Sequence, residues 1–184
     1  MRRAIILAAL FSLMAACAAG AAWAEPVAGS GTVPSGLALS APLGPDDAGY
    51  LGIGPDASFT LSDVKAPYLI VEVLGLYCPL CHTQAPLFDK FFTRLTTDPA
   101  MSSKVKMLGM AAGATKEEMA YLLESGVYKY PIAWDPDYVA HKALGEPKTP
   151  YTMLLDANGK VLYDHLGVIE DVNAFYGEIA KLVR

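Results

Sequence analysis

The apolar and polar positions of the chain form a series of strand-like runs and helical stripes. Tyr68–Leu74 is an almost continuous apolar run, which is typical of a strand covered on both faces. Pro79–Thr97 places apolar residues at helical spacing and predicts a helix, which Pro86 should kink. The pattern then predicts a strand, a helix, a short strand, a short helix, two strands and a closing helix, in segments 104–110, 115–126, 131–134, 137–144, 151–155, 161–166 and 170–183. This order predicts an α/β protein with helices on a mixed sheet.

Two signals mark the start of the predicted domain, and one marks a turn near its end. Alternating apolar and polar residues at 59–63 predict a short edge strand, where ordered structure should begin. Residues 25–56 are rich in Gly, Pro, Ala and Ser without sustained periodicity, so we expect a leader lying over the surface. The pair Asn158-Gly159 is typical of a tight hairpin turn between two strands. The domain is therefore predicted to span residues 57–184.

The first 24 residues have the pattern of a secretory signal peptide. Two basic residues open the chain, an uncharged apolar run follows, and small residues precede Glu25. Cleavage after Ala24 would place the mature protein in the periplasm or cell envelope. Two alternatives stay open. Cys17 ends a stretch that resembles a lipid-attachment site, and the 21 residues 4–24 are long enough to remain as an anchor across about 30 Å of membrane.

Charge and cysteine content narrow the class of protein. Without residues 1–24 the chain has 12 basic and 19 acidic residues, a formal net charge of −7, and no basic patch, so we do not expect a nucleic-acid partner. Two of the three cysteines, Cys78 and Cys81, lie outside that segment. So close a pair cannot join distant parts of a domain, which favours a redox role. A structural disulfide or two buried thiols is the alternative.

The motif Cys78-Pro79-Leu80-Cys81 stands where a buried strand ends and a helix begins. Because a helix N-terminus stabilises an anion, we expect a low pKa for Cys78, whose thiolate would be the nucleophile. Cys81, one turn further along, is predicted to be more buried and to resolve the mixed disulfide between Cys78 and a substrate. This chemistry needs no metal ion and no cofactor beyond the redox-active Cys78–Cys81 disulfide.

Two further positions are candidates for the same site. Glu72 lies in the apolar strand six residues before Cys78, and burial should raise its pKa until it can accept the proton of Cys81. An exposed Glu72 paired with a lysine is the alternative. Thr149-Pro150 directly precedes a strand, and a cis bond there would leave the Thr149 backbone available to an extended substrate. An ordinary loop proline is the alternative here.

Together these features resemble the TlpA/ResA-like redoxin branch of the thioredoxin superfamily over residues 59–183. The resemblance rests on segment 59–63, Glu72, the Cys78–Cys81 motif, Pro86, Thr149-Pro150 and the hairpin at 155–161. It implies a thioredoxin-like fold: a mixed sheet with helices on both faces, an N-terminal β extension, a βα insertion at about residues 113–143 and a cis Pro150. Tyr77 stands where the family often has tryptophan, which implies an aromatic substrate-binding surface beside Cys78.

The resemblance also implies a function. It indicates a protein-disulfide oxidoreductase that exchanges disulfides with protein thiol substrates and receives electrons from a membrane thiol carrier. Positions 79 and 80 add no histidine or charge that would stabilise the thiolate further. We therefore expect a reductant or intermediate carrier, for example in cytochrome c maturation or envelope thiol homeostasis, and we expect it to be a monomer.

Three other functions fit parts of the sequence. Cys78-x-x-Cys81-His82 matches the attachment site of c-type haem, but a haem protein would leave Glu72 and Thr149-Pro150 without a purpose. A thiol peroxidase of related fold needs a proline and a threonine or serine just before the reactive cysteine, and residues 74–77 supply neither. A metallochaperone would need a third ligand from a distant histidine, which no spacing supports.

Overall fold

The structure of the protein, a computed structural model, describes residues 31–34, 36–40, 44–54 and 58–183. In these residues the strands are β1 (Ala38–Leu39), β2 (Phe59–Thr60), β3 (Tyr68–Leu74), β4 (Val105–Ala112), β5 (Ile132–Asp135), β6 (Tyr151–Asp156) and β7 (Val161–Leu166). The α-helices are α1 (Pro45–Leu51), α2 (Pro79–Thr97), α3 (Pro99–Ser102), α4 (Lys116–Ser125), α5 (Val139–Ala143) and α6 (Val172–Leu182).

The central sheet has the strand order β5-β4-β3-β6-β7. β3 pairs in parallel with β4, and β4 in parallel with β5, whereas β6 is antiparallel to both β3 and β7. β3 is therefore the middle strand, and its residues are buried from the second position onward. This burial explains the almost continuous apolar run that predicted it. The predicted mixed sheet is confirmed.

Helices cover both faces of the central sheet. On one face, α2, α4 and α6 enclose an apolar cluster that includes Ile70 and Leu74 of β3 together with Phe88. On the opposite face, Val71 and Val73 pack against the N-terminal segment, α1 and α5. Because side chains alternate along a strand, the even-numbered residues of β3 face α2, which carries the cysteine motif.

Helix α2 begins directly at this motif. Cys78 is the N-cap, with φ −84° and ψ 109°, and Pro79 takes the first helical position, where its missing N–H leaves no group unpaired. The helix continues through Pro86 and ends at Asp98, whose side chain caps α3. The residues that fix α2 to the sheet are buried along one side: Cys81, Gln84, Ala85, Phe88, Phe91 and Leu95. The sulfur of Cys78 therefore lies at a helix N-terminus.

The segment 25–56, which we expected to lie over the surface as a leader, differs from that expectation. In its described part, β1 pairs antiparallel with β2, and Ser40 forms a bridge with Trp134 beside the central sheet. Its buried apolar side chains include Val33, Leu37, Leu39, Ala48 and Leu51. These residues are isolated among glycines and prolines, so no periodicity marks them, and their partners lie far along the chain. Ordered structure thus begins before residue 59.

Segment 59–63 also differs from the single edge strand that was expected. Only Phe59–Thr60 is extended, and it pairs with β1 in a separate two-stranded sheet, while Leu61–Asp63 form a 3₁₀ turn. The carboxylate of Asp63 closes this turn by accepting hydrogen bonds from the N–H (2.7 Å) and the hydroxyl (2.8 Å) of Thr60. The expected N-terminal β extension is this small sheet and not an edge of the central one.

The predicted signal peptide, its cleavage after Ala24, the alternative lipid site at Cys17 and the alternative membrane anchor at residues 4–24 fall outside the described residues. Within the part of the chain that the structure describes, each helix is too short or too polar to cross a membrane.

Candidate functional site

Cys78 is held at the start of α2 by two contacts of its sulfur. The sulfur accepts a hydrogen bond from the N–H of Cys81 (3.2 Å), and the thiol donates to the backbone oxygen of Thr149 (3.3 Å). Partial burial raises the pKa of the Cys78 thiol. Hydrogen bonds with the Cys81 thiol, with the Thr149 side chain and with the N–H groups of Cys81 and Leu80 outweigh that burial, so the pKa lies below its ordinary value.

Cys81 occupies the opposite environment one turn further along the helix. Its side chain is fully buried, whereas Cys78 is partly exposed. Burial, followed by the hydrogen bond to Cys78, raises the pKa of the Cys81 thiol. Both cysteines are free thiols in this structure. The pair therefore combines an accessible sulfur that ionises easily with an inaccessible sulfur that keeps its proton.

The Thr149–Pro150 segment lies against this pair. Its peptide bond is cis, and Pro150 directly precedes β6. The backbone oxygen of Thr149 points at the Cys78 thiol, and its side chain packs against the loop at Gly75. Thr149 is partly exposed, so the segment borders the surface that a substrate would approach.

Tyr77 precedes Cys78 and is 81% exposed. Its hydroxyl donates to a carboxylate oxygen of Glu118 in α4 at 2.5 Å, which ties the motif loop to the predicted βα insertion. A shallow groove of about 450 Å³ lies at this junction, lined by Leu76, Tyr77, His82, Glu117, Glu118 and Tyr121. The exposed apolar surface next to Cys78 is therefore formed jointly by the loop and the insertion helix.

Glu72 lies in the middle of β3 and is fully buried on the face that carries α2. One carboxylate oxygen accepts a hydrogen bond from the Gln84 side-chain amide (2.7 Å), and the other accepts one from the Tyr130 hydroxyl. Burial raises the pKa of Glu72 to about 7, and the two hydrogen bonds reduce the shift. The carboxyl group can thus take up or release a proton near neutral pH, and the alternative of an exposed glutamate paired with a lysine is wrong.

Gln84 and Tyr130, the two hydrogen-bond partners of Glu72, were not predicted from the sequence. The amide oxygen of Gln84 also accepts the N–H of Ile169 (2.8 Å), so this residue links α2, β3 and the segment before α6. A polar residue on the apolar side of α2 was a signal that could have identified Gln84. Tyr130 offered no comparable signal, because tyrosine is common in cores and its partner Glu72 lies 58 residues away.

His82, which completes the pattern of a c-type haem attachment site, makes a hydrogen bond within the motif loop. The Nε2 atom of His82 hydrogen-bonds to the backbone oxygen of Leu76 (2.8 Å) and so helps to hold the motif loop. Among the described residues, three or more His, Cys, Asp or Glu side chains do not come together in a way that could hold a metal ion.

A partly exposed thiol that caps a helix, a buried second thiol and a buried carboxyl group define a dithiol redox protein. The Redoxin family model matches residues 45–179, most of the chain, and the protein belongs to the Redoxin family. The prediction of a thiol–disulfide oxidoreductase is confirmed at the level of this family. A comparison with curated proteins found no match.

Several solved structures have a similar fold. A protein assigned as the thiol:disulfide interchange protein DsbE of Chlorobium tepidum has a TM-score of 0.63 at 19% identity, over 83% of this chain and 96% of that one. A thiol:disulfide interchange protein from Bacteroides sp. gives 0.62 at 16% identity, over 85% and 90%. A secreted Mycobacterium tuberculosis disulfide oxidoreductase, homologous to E. coli DsbE, gives 0.56 at 16% identity, over 68% and 90%. The predicted thioredoxin-like fold is thus confirmed.

Proposed function

We propose that this protein is an exported protein-disulfide oxidoreductase in which Cys78 attacks substrate disulfides, Cys81 resolves the mixed disulfide and Glu72 accepts the proton of Cys81. The observation that carries the proposal is the contrast between the two sulfurs. Cys78 is partly exposed with a lowered pKa, whereas Cys81 is fully buried with a raised one. Only a pair ordered in this way has a defined attacking and a defined resolving thiol.

The first half of the reaction takes place at Cys78. Its thiolate attacks one sulfur of a substrate disulfide, the substrate S–S bond breaks, and the electron pair leaves on the other substrate sulfur as a thiolate. The backbone oxygen of Thr149, which accepts from the thiol at 3.3 Å in the resting protein, lies beside the forming bond. Tyr77 and the groove at α4 offer an exposed surface for the substrate polypeptide.

The second half requires Cys81 to lose its proton. Glu72, with a pKa of about 7 and on the same face of the sheet, accepts this proton. The Cys81 thiolate then attacks the sulfur of Cys78, the Cys78–Cys81 bond forms, and the substrate leaves as a thiolate. The substrate gains two electrons and the protein loses two. A membrane thiol carrier that reduces the Cys78–Cys81 disulfide would complete the cycle.

The proposed location and direction follow from sequence features. The pattern of residues 1–24 supports export to the periplasm or cell envelope, and the similar Mycobacterium tuberculosis protein is secreted. Positions 79 and 80 supply no charge that would stabilise the reduced form strongly, which favours a reductant or carrier over a strong oxidant. Protein thiols, including those of apocytochromes, are the proposed substrate class.

A trapping experiment in the native envelope tests the proposal. The Cys81→Ser variant should accumulate a mixed disulfide between Cys78 and its substrate, visible as a reductant-sensitive adduct, because the resolving thiol is missing. Cys78→Ser should form no adduct and should lose insulin-disulfide reduction while unfolding at the same denaturant concentration as the wild type. Full reductase activity in Cys78→Ser, or adducts through Cys81, would refute the assignment of the two thiols.

A further inference from the structure

The proton that Glu72 accepts must leave the protein interior, and the two hydrogen-bond partners of Glu72 are poor carriers for it. Gln84 carries an amide, and its oxygen is already taken by the N–H of Ile169. Burial, followed by the charge of Glu72, raises the pKa of Tyr130 far above its ordinary value, so its hydroxyl proton is not readily released. Since Glu72 itself is fully buried, its proton has to reach solvent by a route that passes through neither Gln84 nor Tyr130.

The register of the sheet places polar side chains along such a route. Thr152 of β6 lies directly opposite Glu72 of β3, and His165 of β7 lies directly opposite Thr152. Opposite residues in antiparallel strands project from the same face, with neighbouring Cβ atoms about 5 Å apart. Thr152 is fully buried, whereas His165 is partly exposed on the edge strand. Three polar side chains therefore form a row from the centre of the sheet to its edge.

The hydroxyl of Thr152 is unusual. Within the described part of the chain, the buried side-chain oxygens without a hydrogen-bond partner are those of Thr152 and Tyr128. A buried polar group normally has a partner, and each exception calls for an explanation. Valine has nearly the shape of threonine and would avoid the cost of burying an unpaired hydroxyl. A threonine at this point of the row therefore suggests that its hydroxyl is used.

We propose that Thr152 and His165 carry the proton of Glu72 to solvent, an inference that rests on the proposed role of Glu72. A hydroxyl both accepts and donates a hydrogen bond. Since its hydroxyl has no direct hydrogen-bond partner in the resting protein, Thr152 takes the carboxyl proton on its oxygen through one water molecule or after rotation about χ1, while its own proton passes to the imidazole of His165 in the same way. A neutral imidazole has one ring nitrogen that accepts a proton and another that donates one, so His165 can deliver the proton to water at the edge. Both are positioning residues that act through Glu72.

Other titratable groups lie on the elements packed around Glu72 and define the competing routes. Cys81 and Asp89 lie on α2, and Tyr128 and Tyr130 lie before β5. Cys81 is the proton source, and the carboxylate of Asp89 is engaged by the N–H of Lys129 at 2.8 Å. Tyr128, whose ring packs edge-on against Tyr130, carries the second unpaired hydroxyl and is the rival route.

A pH jump followed by infrared spectroscopy measures the proton transfer directly. The carboxyl band of Glu72 in the reduced protein is identified by its loss in Glu72→Gln, and its relaxation after the jump is recorded in weak buffer. Thr152→Val and His165→Asn should slow this relaxation several-fold. Added imidazole should restore the rate in His165→Asn, because it replaces the missing side chain at the edge, but not in Thr152→Val. Thr152→Ser keeps the hydroxyl and should relax like the wild type.

The controls separate this inference from a structural role and from the function it rests on. Thr152→Val should unfold at the same or a higher temperature than the wild type, because it removes an unpaired buried hydroxyl. If Thr152→Val does not fold, the relaxation of His165→Asn with and without imidazole tests the proposed route by itself. Wild-type relaxation in both variants, or slow relaxation in Tyr128→Phe with a normal His165→Asn, overturns the proposed route. A Glu72 band that does not respond near neutral pH would instead refute the proton role of Glu72.

Discussion

The hydroxyl of Tyr130 reaches the carboxylate of Glu72 across the strand that lies between them. Glu72 is on β3 and Tyr130 precedes β5, with β4 in the middle of the three strands. The residue of β4 in register with Glu72 is Gly109. A Cβ atom at Gly109 would overlap the Cδ1 atom of Ile132 and lie 3.2 Å from the ring of Tyr130. The missing side chain therefore provides the room in which this hydrogen bond forms.

Gly109→Ala should destabilise the protein by about 1–3 kcal/mol, because the added methyl group overlaps a well-packed core. Urea unfolding followed by circular dichroism measures the change. Gly177→Ala is a matched control, since Gly177 lies in α6 and a Cβ atom there meets nothing within 4 Å. That control should be neutral or more stable by about 0.4–1 kcal/mol. Equal stabilities for the two variants would contradict the close approach at Gly109.

Tyr130→Phe should raise the pKa of Glu72 above its value of about 7, because the lost hydrogen bond stabilises the carboxylate. The alkaline shift should be visible in the carboxyl resonance of Glu72 and in the pH profile of the resolving step. Tyr138→Phe removes the hydroxyl of a 44% exposed tyrosine outside the groove and should leave both unchanged. An unchanged or lower Glu72 pKa in Tyr130→Phe would show that the bond does not stabilise the charged form.

Glu72 should make the stability of the protein depend on pH between about 4.5 and about 7. The folded protein holds the Glu72 proton up to about pH 7, whereas the unfolded chain releases it near the ordinary glutamate pKa of 4.5. The contribution of Glu72 to the free energy of unfolding is therefore fully present below that window and is lost as pH rises through it, by about 3 kcal/mol.

The stability of Glu72→Gln relative to the wild type should accordingly increase by that amount from about pH 4 to about pH 8, as measured by chemical denaturation at each pH. Glu117→Gln, at an exposed position of α4, serves as the control and should follow the wild type throughout. A constant difference between Glu72→Gln and the wild type would mean that the buried carboxyl group keeps the same ionisation in both states.

Alkylation should distinguish the two thiols of the reduced protein. Iodoacetamide should modify Cys78 at a pH below that required for an ordinary thiol, and Cys81 only after unfolding, because thiolate fraction and access control the rate. Cys81→Ala should move the Cys78 profile to higher pH, since it removes a donor to the Cys78 sulfur. Cys81→Ser keeps a hydrogen-bond donor to the Cys78 sulfur and should shift the alkylation profile of Cys78 less. Mass spectrometry of the modified peptides measures both thiols, and a first modification at Cys81 would contradict the structure.

The parts of the fold predicted correctly are those whose cause is local in sequence. β3 was recognisable because its apolar run is buried on both faces. Thr115 is the N-cap of α4, and its hydroxyl and the Glu118 carboxylate each accept a hydrogen bond from the other's backbone N–H. Gly126, with φ 62°, caps the other end of the helix. The start of α2 followed from the placement of the cysteine motif. Each of these signals lies within a few residues of the structure it specifies.

The parts that could not be predicted depend on contacts between distant segments. The side chains of residues 31–54 that enter the core do so one at a time, and nothing local indicates that β1 will meet β2 or that Ser40 will meet Trp134. The site shows the same limit. Glu72 stood out as a charge in an apolar strand, but its partner Tyr130 comes from beyond β4, and only the register of the sheet places Thr152 next to it.

The burial of Cys81 has a consequence for how many molecules can be attached at one time. Because only Cys78 of the two cysteines in the described part of the chain is open to the outside, this site can carry one covalently linked client and never two. A second client must wait until the first has been discharged by the inner sulfur. Reagents that add to exposed thiols should therefore add one equivalent to the Cys78–Cys81 pair of the folded, reduced protein, and clients bound through this pair would have to react one after another.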